Sequence, residues 1–222
     1  MPIPVKAVVL ALVVGLAISI GVAFTVGQLI VKPKVEQSMP YENINGIGVS
    51  IWNKPLQSFT VNSTAGMIEI PVKGKVNVIT PQYVRCPDIC HLESQMMIYA
   101  MEQAVKEGVS NDIVFITLDV DPWTGTYSMA LDYQSRVAGD MLDDVEWIWV
   151  LDSVDKMQEI YKAYDIYVEF DNKTKLVNHF GGFLITDRNG KLVYIIHPDW
   201  NRVYDTAVVL WDKIYEVLKG GG

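Results

Sequence analysis

The first apolar pattern along the chain is a run without a charge, from Ala7 to Val31. As a helix it spans about 37 Å, enough to cross a hydrocarbon core of about 30 Å with some tilt. The apolar stretch of a cleavable signal is shorter, about 7–15 residues. The pattern therefore predicts a retained N-terminal transmembrane anchor over residues 1–31, in contact with membrane lipid through residues 7–31. Lys6 flanks one side of the run and Lys32 and Lys34 the other, so basic residues do not orient it. A short N-terminus ahead of a long domain predicts a single-pass protein of the cell membrane, with a cytoplasmic N-terminus and the domain on the outer face. Residues 32–50 have no periodicity and contain Pro33, Pro40, Asn43, Asn45 and Gly46. They read as a linker lifting a domain off the membrane.

From Ile51 the pattern becomes α/β, and residues 51–222 read as one domain. Ser58–Val61 and Met67–Ile70 predict a short hairpin. Val76–Thr80, Ile113–Val120 and Val145–Leu151 are apolar runs expected of buried strands. Between and after them, residues 92–107, 126–137 and 154–164 carry apolar positions at helical spacing, with Gly108 stopping the first. Phe183–Thr186 and Leu192–His197, joined at Asn189-Gly190, predict a hairpin. A last helix covers residues 202–219. The order β-α-β-α-β-α-β-β-α is that of a three-layer, thioredoxin-like α/β domain with an insertion.

Charge and composition narrow the function. The formal net charge is −8 and the isoelectric point about 4.8, which argues against nucleic acid as a partner. Half of the residues are hydrophobic and a tenth aromatic, enough to bury a core. Two cysteines are too few for a disulfide scaffold.

The chemistry centres on those two cysteines. Cys86-Pro87-Asp88-Ile89-Cys90 follows a predicted strand and opens a predicted helix. Pro87 suits a first helical turn. Cysteines four apart on a helix share a face, and a helix N-terminus favours a thiolate at Cys86. Two converging thiolates bind a soft metal or exchange disulfides; the plain alternative is a structural disulfide or two buried thiols. Of the three histidines, His179 lies in Val177-Asn178-His179-Phe180-Gly181-Gly182, ahead of Phe183–Thr186. In a thioredoxin-like sheet that segment faces the cysteine-bearing helix. Thioredoxin-type oxidoreductases usually have proline there and cysteines spaced by two. Two thiolates and one imidazole instead make a three-coordinate site suited to Cu(I). Zn(II) prefers four ligands, with His91 as the available fourth, but His91 points roughly 100° from Cys90 on a helix.

These residues resemble the Sco/SenC family of membrane-anchored copper proteins, over about Ser58 to Lys219. Cys86-Pro87-Asp88-Ile89-Cys90 matches the family's Cys-Pro-Asp-x-Cys motif. Leu118-Asp119-Val120-Asp121-Pro122 matches its Val-Asp-Pro strand end, and Leu131-Asp132-Tyr133 the helix after it. His179, 89 residues after Cys90, falls at the third ligand. The sequence differs at His91, where Pro is usual, at Gly125, where Asp is usual, and in the approach Thr80–Arg85. The resemblance implies copper as cofactor, Cu(I) with Cu(II) as a second state, held by Cys86, Cys90 and His179. It implies a metallochaperone whose recipient is the copper A site of cytochrome c oxidase subunit II. The alternative is a thiol–disulfide reductase using Cys86 and Cys90 as redox pair without a metal. A peroxidase lacks its hydroxyl residue between Pro81 and Cys86, and a purely structural domain leaves the cysteines and His179 without a role.

Other features have plainer readings. Asp119 and Asp121 leave one face of a strand end, with Asp121 capping the turn at Pro122, and Asp88 supports a helix N-terminus. Trp147 and Trp149 alternate with Ile148 and Val150 as packing residues, and Trp123 is a candidate docking residue. Met96, Met97 and Met101 fall at core spacing rather than forming a copper relay. Asn62-Ser63-Thr64 and Asn172-Lys173-Thr174 are glycosylation sequons.

Overall fold

The structure, a computed structural model, describes residues 40–220. The anchor expected over residues 7–31 lies outside the described residues, as does the linker before Pro40. Among the described residues no helix is long and apolar enough to cross a membrane.

Eleven strands and four helices are described. They are β1 (Tyr41–Ile44), β2 (Ile47–Pro55), β3 (Phe59–Ser63), β4 (Gly66–Ile70), β5 (Val76–Gln82), α1 (Cys90–Lys106), β6 (Ile113–Asp119), α2 (Tyr127–Ala138), β7 (Trp147–Val150), α3 (Val154–Ala163), β8 (Val168–Phe170), β9 (Val177–His179), β10 (Phe183–Thr186), β11 (Lys191–His197) and α4 (Val203–Leu218). Nine strands form one sheet in the order β1-β2-β11-β10-β5-β6-β7-β3-β4, and β8 and β9 form a separate hairpin. The neighbours β5-β6 and β6-β7 are parallel, each joined by a helix as parallel strands require. The fold is α/β and thioredoxin-like.

Alternation along the central strands builds the layers. Val76, Val78, Ile113, Phe115, Trp147, Trp149, Phe183 and Ile185 point to one face, where α1, α2 and α4 cover them. Ile79, Val114, Ile116, Ile148, Val150 and Leu184 point to the other, under α3. Trp149, Phe115 and Phe183 are among the largest side chains fully removed from solvent, each stabilising the fold by about 1.5–3 kcal/mol. The tryptophan pair of β7 thus packs on one face and Ile148 and Val150 on the other, as the sequence predicts. Met96, Met97 and Met101 are 0% exposed and fill the α1 side of the core.

The expected linker over residues 32–50 needs correction from Tyr41 onward. Tyr41–Ile44 and Ile47–Pro55 are strands, and β2 pairs with β11 along nearly its whole length. Asn45 and Gly46 form the turn, with φ of 53° and 93°, and Asn43 Oδ1 accepts from Gly46 N at 2.7 Å. Positive φ at both central positions is what a tight hairpin demands and Asn-Gly tolerates. Ile47 and Val49 are buried against α4 and the sheet, so this segment belongs to the domain.

Candidate metal centre

The site forms where β5 runs out and α1 begins. Strand pairing ends at Gln82, and Tyr83 turns inward, 4% exposed. A turn follows, closed by Cys86 N donating to Tyr83 O at 3.1 Å. The first bonds of α1 run from Leu92 N and Glu93 N to Ile89 O. The helix therefore starts at Cys90, and the expectation of both cysteines on one helical face is corrected. Pro87 and Asp88 hold the chain in a bend before the helix, leaving Cys86 half-buried ahead of it and Cys90 buried at its first position. Buried Gln82 locks this start by donating from Nε2 to Cys90 O at 2.9 Å.

The third donor arrives from far along the chain. Asp171 closes a turn between β8 and β9, with Lys173 N on its Oδ1 at 2.7 Å, and the hairpin ends at His179 opposite Val168. His179 Nε2 stands 3.5 Å from Cys90 Sγ. Its Nδ1 lies 2.8 Å from Phe180 O. A carbonyl only accepts, so Nδ1 carries the proton and Nε2 presents its lone pair. Metal-binding imidazoles are commonly oriented in this way. One ligand atom each from Cys86, Cys90 and His179 lie within 4.8 Å of one another. The Tyr83 ring stands edge-on to His179 at 5.9 Å. Outside the thiols lies a cavity of about 410 Å³ lined by Tyr83, Cys86, Pro87, Leu176, Val177 and His179.

The thiols are unequal. Both are free. Hydrogen bonding from Cys90, stronger than the opposing burial, holds Cys86 down to about 4, with the backbone amides of Asp88 and Cys90 assisting. Burial, reinforced by Cys86, pushes Cys90 well above the usual thiol range. The pair thus shares one proton, with the thiolate on the half-exposed Cys86 facing the cavity. Burial likewise raises Tyr83.

Comparison with known proteins agrees with this geometry. The sequence model of the SCO1/SenC family matches residues 56–207. The chain belongs to the SCO1/SenC family. No curated protein matches it. Yeast Sco1 with copper bound is similar at 20% identity and a TM-score of 0.61, covering 75% of this chain and 89% of that one. Bradyrhizobium japonicum ScoI with copper bound gives 18% and 0.57, covering 70% and 97%. A SCO1/SenC family lipoprotein from Bacillus anthracis gives 20% and 0.58, covering 71% and 96%.

Within this SCO1/SenC chain the other histidines stand apart from the thiols. His91 is exposed and is not part of the cluster. His197 Nε2 meets Ser50 Oγ at 2.9 Å on β2. Asp88 is exposed in the bend. Asp121 is buried and pairs with Arg85 at 2.6 Å; its carbonyl accepts from Gly125 N at 2.8 Å, the turn-forming role expected of it. Asp119 is 1% exposed, its Oδ2 accepting from Trp149 Nε1 at 2.8 Å and its Oδ1 from Asp121 N. Burial pushes it up to about 6. A Cβ at Gly125 would meet both Asp119 Oδ2 and Asp121 O at 3.0 Å, so the turn leaves little room for a larger side chain there. Trp123, 37% exposed, stacks on Phe170 of β8 at 4.8 Å.

Sequence reasoning passed over three site residues. Tyr83 gives the cavity its wall, Gln82 fixes the helix start, and Glu93 lies fully buried one turn beyond Cys90. Only Glu93 left a trace, as an acid in line with the apolar face of α1.

Proposed function

We propose that this protein is a membrane-tethered copper metallochaperone that carries Cu(I) on Cys86 Sγ, Cys90 Sγ and His179 Nε2. The observation that carries the reading is the convergence of two free thiols and one oriented imidazole lone pair within 4.8 Å. Soft sulfur donors and a low coordination number suit Cu(I), and among the described residues no fourth His, Cys, Asp or Glu joins the cluster. The copper-bound yeast and Bradyrhizobium relatives support the same cargo. Cys86, half-exposed and already a thiolate, receives and releases the ion by ligand exchange through the cavity. Cys90 and His179 hold it from behind.

The recipient is the copper A site of cytochrome c oxidase subunit II. A structural relative, BsSco, is a member of the Sco family of cytochrome c oxidase assembly proteins, which supports that destination. Residues 7–31 anchor the chain in the cell membrane, with the N-terminus cytoplasmic and the domain on the outer face. The uncharged run supports this, as does a family relative that is a lipoprotein.

A second reading is favoured by the low pKa of Cys86: a thiol–disulfide reductase that prepares the recipient's cysteines. The cysteine pair serves it without His179. The deciding experiment is an anaerobic Cu(I) titration of residues 40–222, which contain the whole described domain, with stoichiometry and sulfur-edge ligation read together. One copper per chain on two sulfurs and a nitrogen is expected. Absence of tight binding by fully reduced protein overturns the chaperone reading and leaves the reductase.

A further inference from the structure

A buried acid on the cysteine-bearing helix has no part in that chemistry so far. Glu93 sits on α1 three residues after Cys90 and is 0% exposed. Its Oε1 accepts from Gly182 N at 2.9 Å, a bond between residues 89 positions apart. Its Oε2 has no well-formed hydrogen bond, and neither does Thr80 Oγ1, although the Thr80 and Gln82 side chains stand beside the carboxyl and favour its charged form. A buried carboxyl with one oxygen unsatisfied costs stability that an apolar side chain of similar size would not. Burial accordingly raises its pKa well above the carboxylate range.

The Gly182 end of the bond explains what it holds. Gly181 and Gly182 follow His179 and Phe180, and Gly181 presses against the start of α1. A Cβ at Gly181 would meet Ile89 Cδ1 at 2.6 Å, while one at Gly182 would meet Ile196 O of β11 at 2.5 Å. Gly182 also has φ of 153°, in the range glycine tolerates best. So the chain leaving His179 fits closely against the helix bearing Cys90, and the bond to Glu93 is a direct polar tie between them. Among the described residues β9 pairs with β8 and meets α1 through His179 Nε2 on Cys90 Sγ at 3.5 Å, the contact that the tie at Gly182 supports.

We propose that Glu93 is a positioning residue: by clamping Gly182 to α1 it sets the separation of His179 Nε2 from Cys90 Sγ and keeps the imidazole in the metal site. The inference rests on the copper-carrying reading. It predicts that the acceptor oxygen matters and the charge does not. Glu93→Gln keeps an acceptor at Oε1, whereas Glu93→Leu keeps the bulk and loses the acceptor.

The test uses wild type, Glu93→Gln, Glu93→Leu, His179→Ala and the double variant Glu93→Leu/His179→Ala. Two signals are read: Nδ1–H of His179 by NMR in the apo protein, and Cu(I) affinity by competition with a chromophoric chelator. Wild type and His179→Ala first establish that copper binds and uses the imidazole, independently of Glu93. Glu93→Gln is expected to match wild type in both signals. Glu93→Leu is expected to fold, lose the ordered His179 signal, and fall in affinity about 10–100-fold, as removal of outer partners of metal ligands does. The double variant should be no weaker than His179→Ala, because both substitutions remove one interaction. Losses that add fully, or a Glu93→Leu protein with wild-type His179 signal and affinity, overturn the proposal. If Glu93→Leu does not fold, Glu93→Gln decides alone through the Gly182 amide: retained exchange protection with retained His179 signal supports the clamp. Lost protection with an unchanged His179 signal and affinity refutes it.

Discussion

Cys90 Sγ and His179 Nε2 lie 3.5 Å apart with 89 positions of chain between them. The first is fixed by the start of a helix and the second by the end of a two-stranded hairpin. No local rule of sequence connects the two, and their meeting depends on the sheet that carries β5 and β10 side by side.

Removing that imidazole separates carrier from reductase. His179→Ala should weaken Cu(I) binding by more than the 10–100-fold that loss of an outer partner costs. Disulfide exchange by Cys86 and Cys90 should persist, because neither sulfur is removed. Competition titration and an insulin-reduction assay on one preparation measure both. Unchanged copper affinity would turn the site into a dithiol redox pair. His91→Ala, at an exposed position, and His197→Ala, held by Ser50, should leave affinity within about threefold, as surface or remote changes do.

The unequal thiols give a pH dependence with a definite sign. Cys86 is depressed to about 4, so its thiolate is present at neutral pH and is lost only as pH falls through about 4. Cys90 is raised and keeps its proton at neutral pH. Cu(I) binding must then displace one thiol proton rather than two. Apparent log affinity should rise by about one for each pH unit between about pH 7 and 8. A slope of two would mean that both thiols start protonated. Iodoacetamide at about pH 6 should label Cys86 and spare Cys90, as site-resolved mass spectrometry would show.

Much of this was legible beforehand, for physical reasons that differ by element. Strands β5, β6 and β7 are buried on both faces, so they appear as mainly apolar runs in which Asn77, Thr80 and Thr117 are among the buried polar exceptions. The cysteine motif sits at a strand-to-helix boundary that hydrophobic periodicity marks well. Two hairpins were not legible. β1 is polar and exposed, and its Asn45-Gly46 turn reads as linker until β2 is seen to alternate Ile47 and Val49 inward. β8 and β9 are three residues each, too short for a period to show, although Val177 is buried with Val168 and Phe170 packed beside it. That is why His179 was expected in a loop and is found ending a strand. The register of Cys86, before the helix rather than on it, depends on the bend at Pro87, which spacing alone does not reveal.

The family residue missing at position 125 makes a test of packing. A Cβ there would press on Asp119 Oδ2 and Asp121 O, in a pocket where Asp119 is already buried and raised to about 6. Gly125→Ala should destabilise by about 1–3 kcal/mol, typical of overpacking. Gly125→Asp should do more, since it adds a third carboxyl beside two. Urea unfolding of the domain at about pH 7 measures both. An Asp variant as stable as wild type would show that the turn from Pro122 to Thr126 relaxes freely.

The three methionines of α1 decide whether copper reaches the thiols through sulfur on the helix. Met96, Met97 and Met101 have no solvent exposure and pack with the core of the sheet. None is among the residues lining the cavity beside Cys86. Met101→Ala should therefore cost about 2–5 kcal/mol, by lost burial and the space left behind. Its effect on copper should be nil: affinity, stoichiometry and the rate of copper uptake should match wild type under conditions where the variant is fully folded. A slowed uptake with stability intact would reverse the assignment, making these sulfurs part of the route by which the ion arrives.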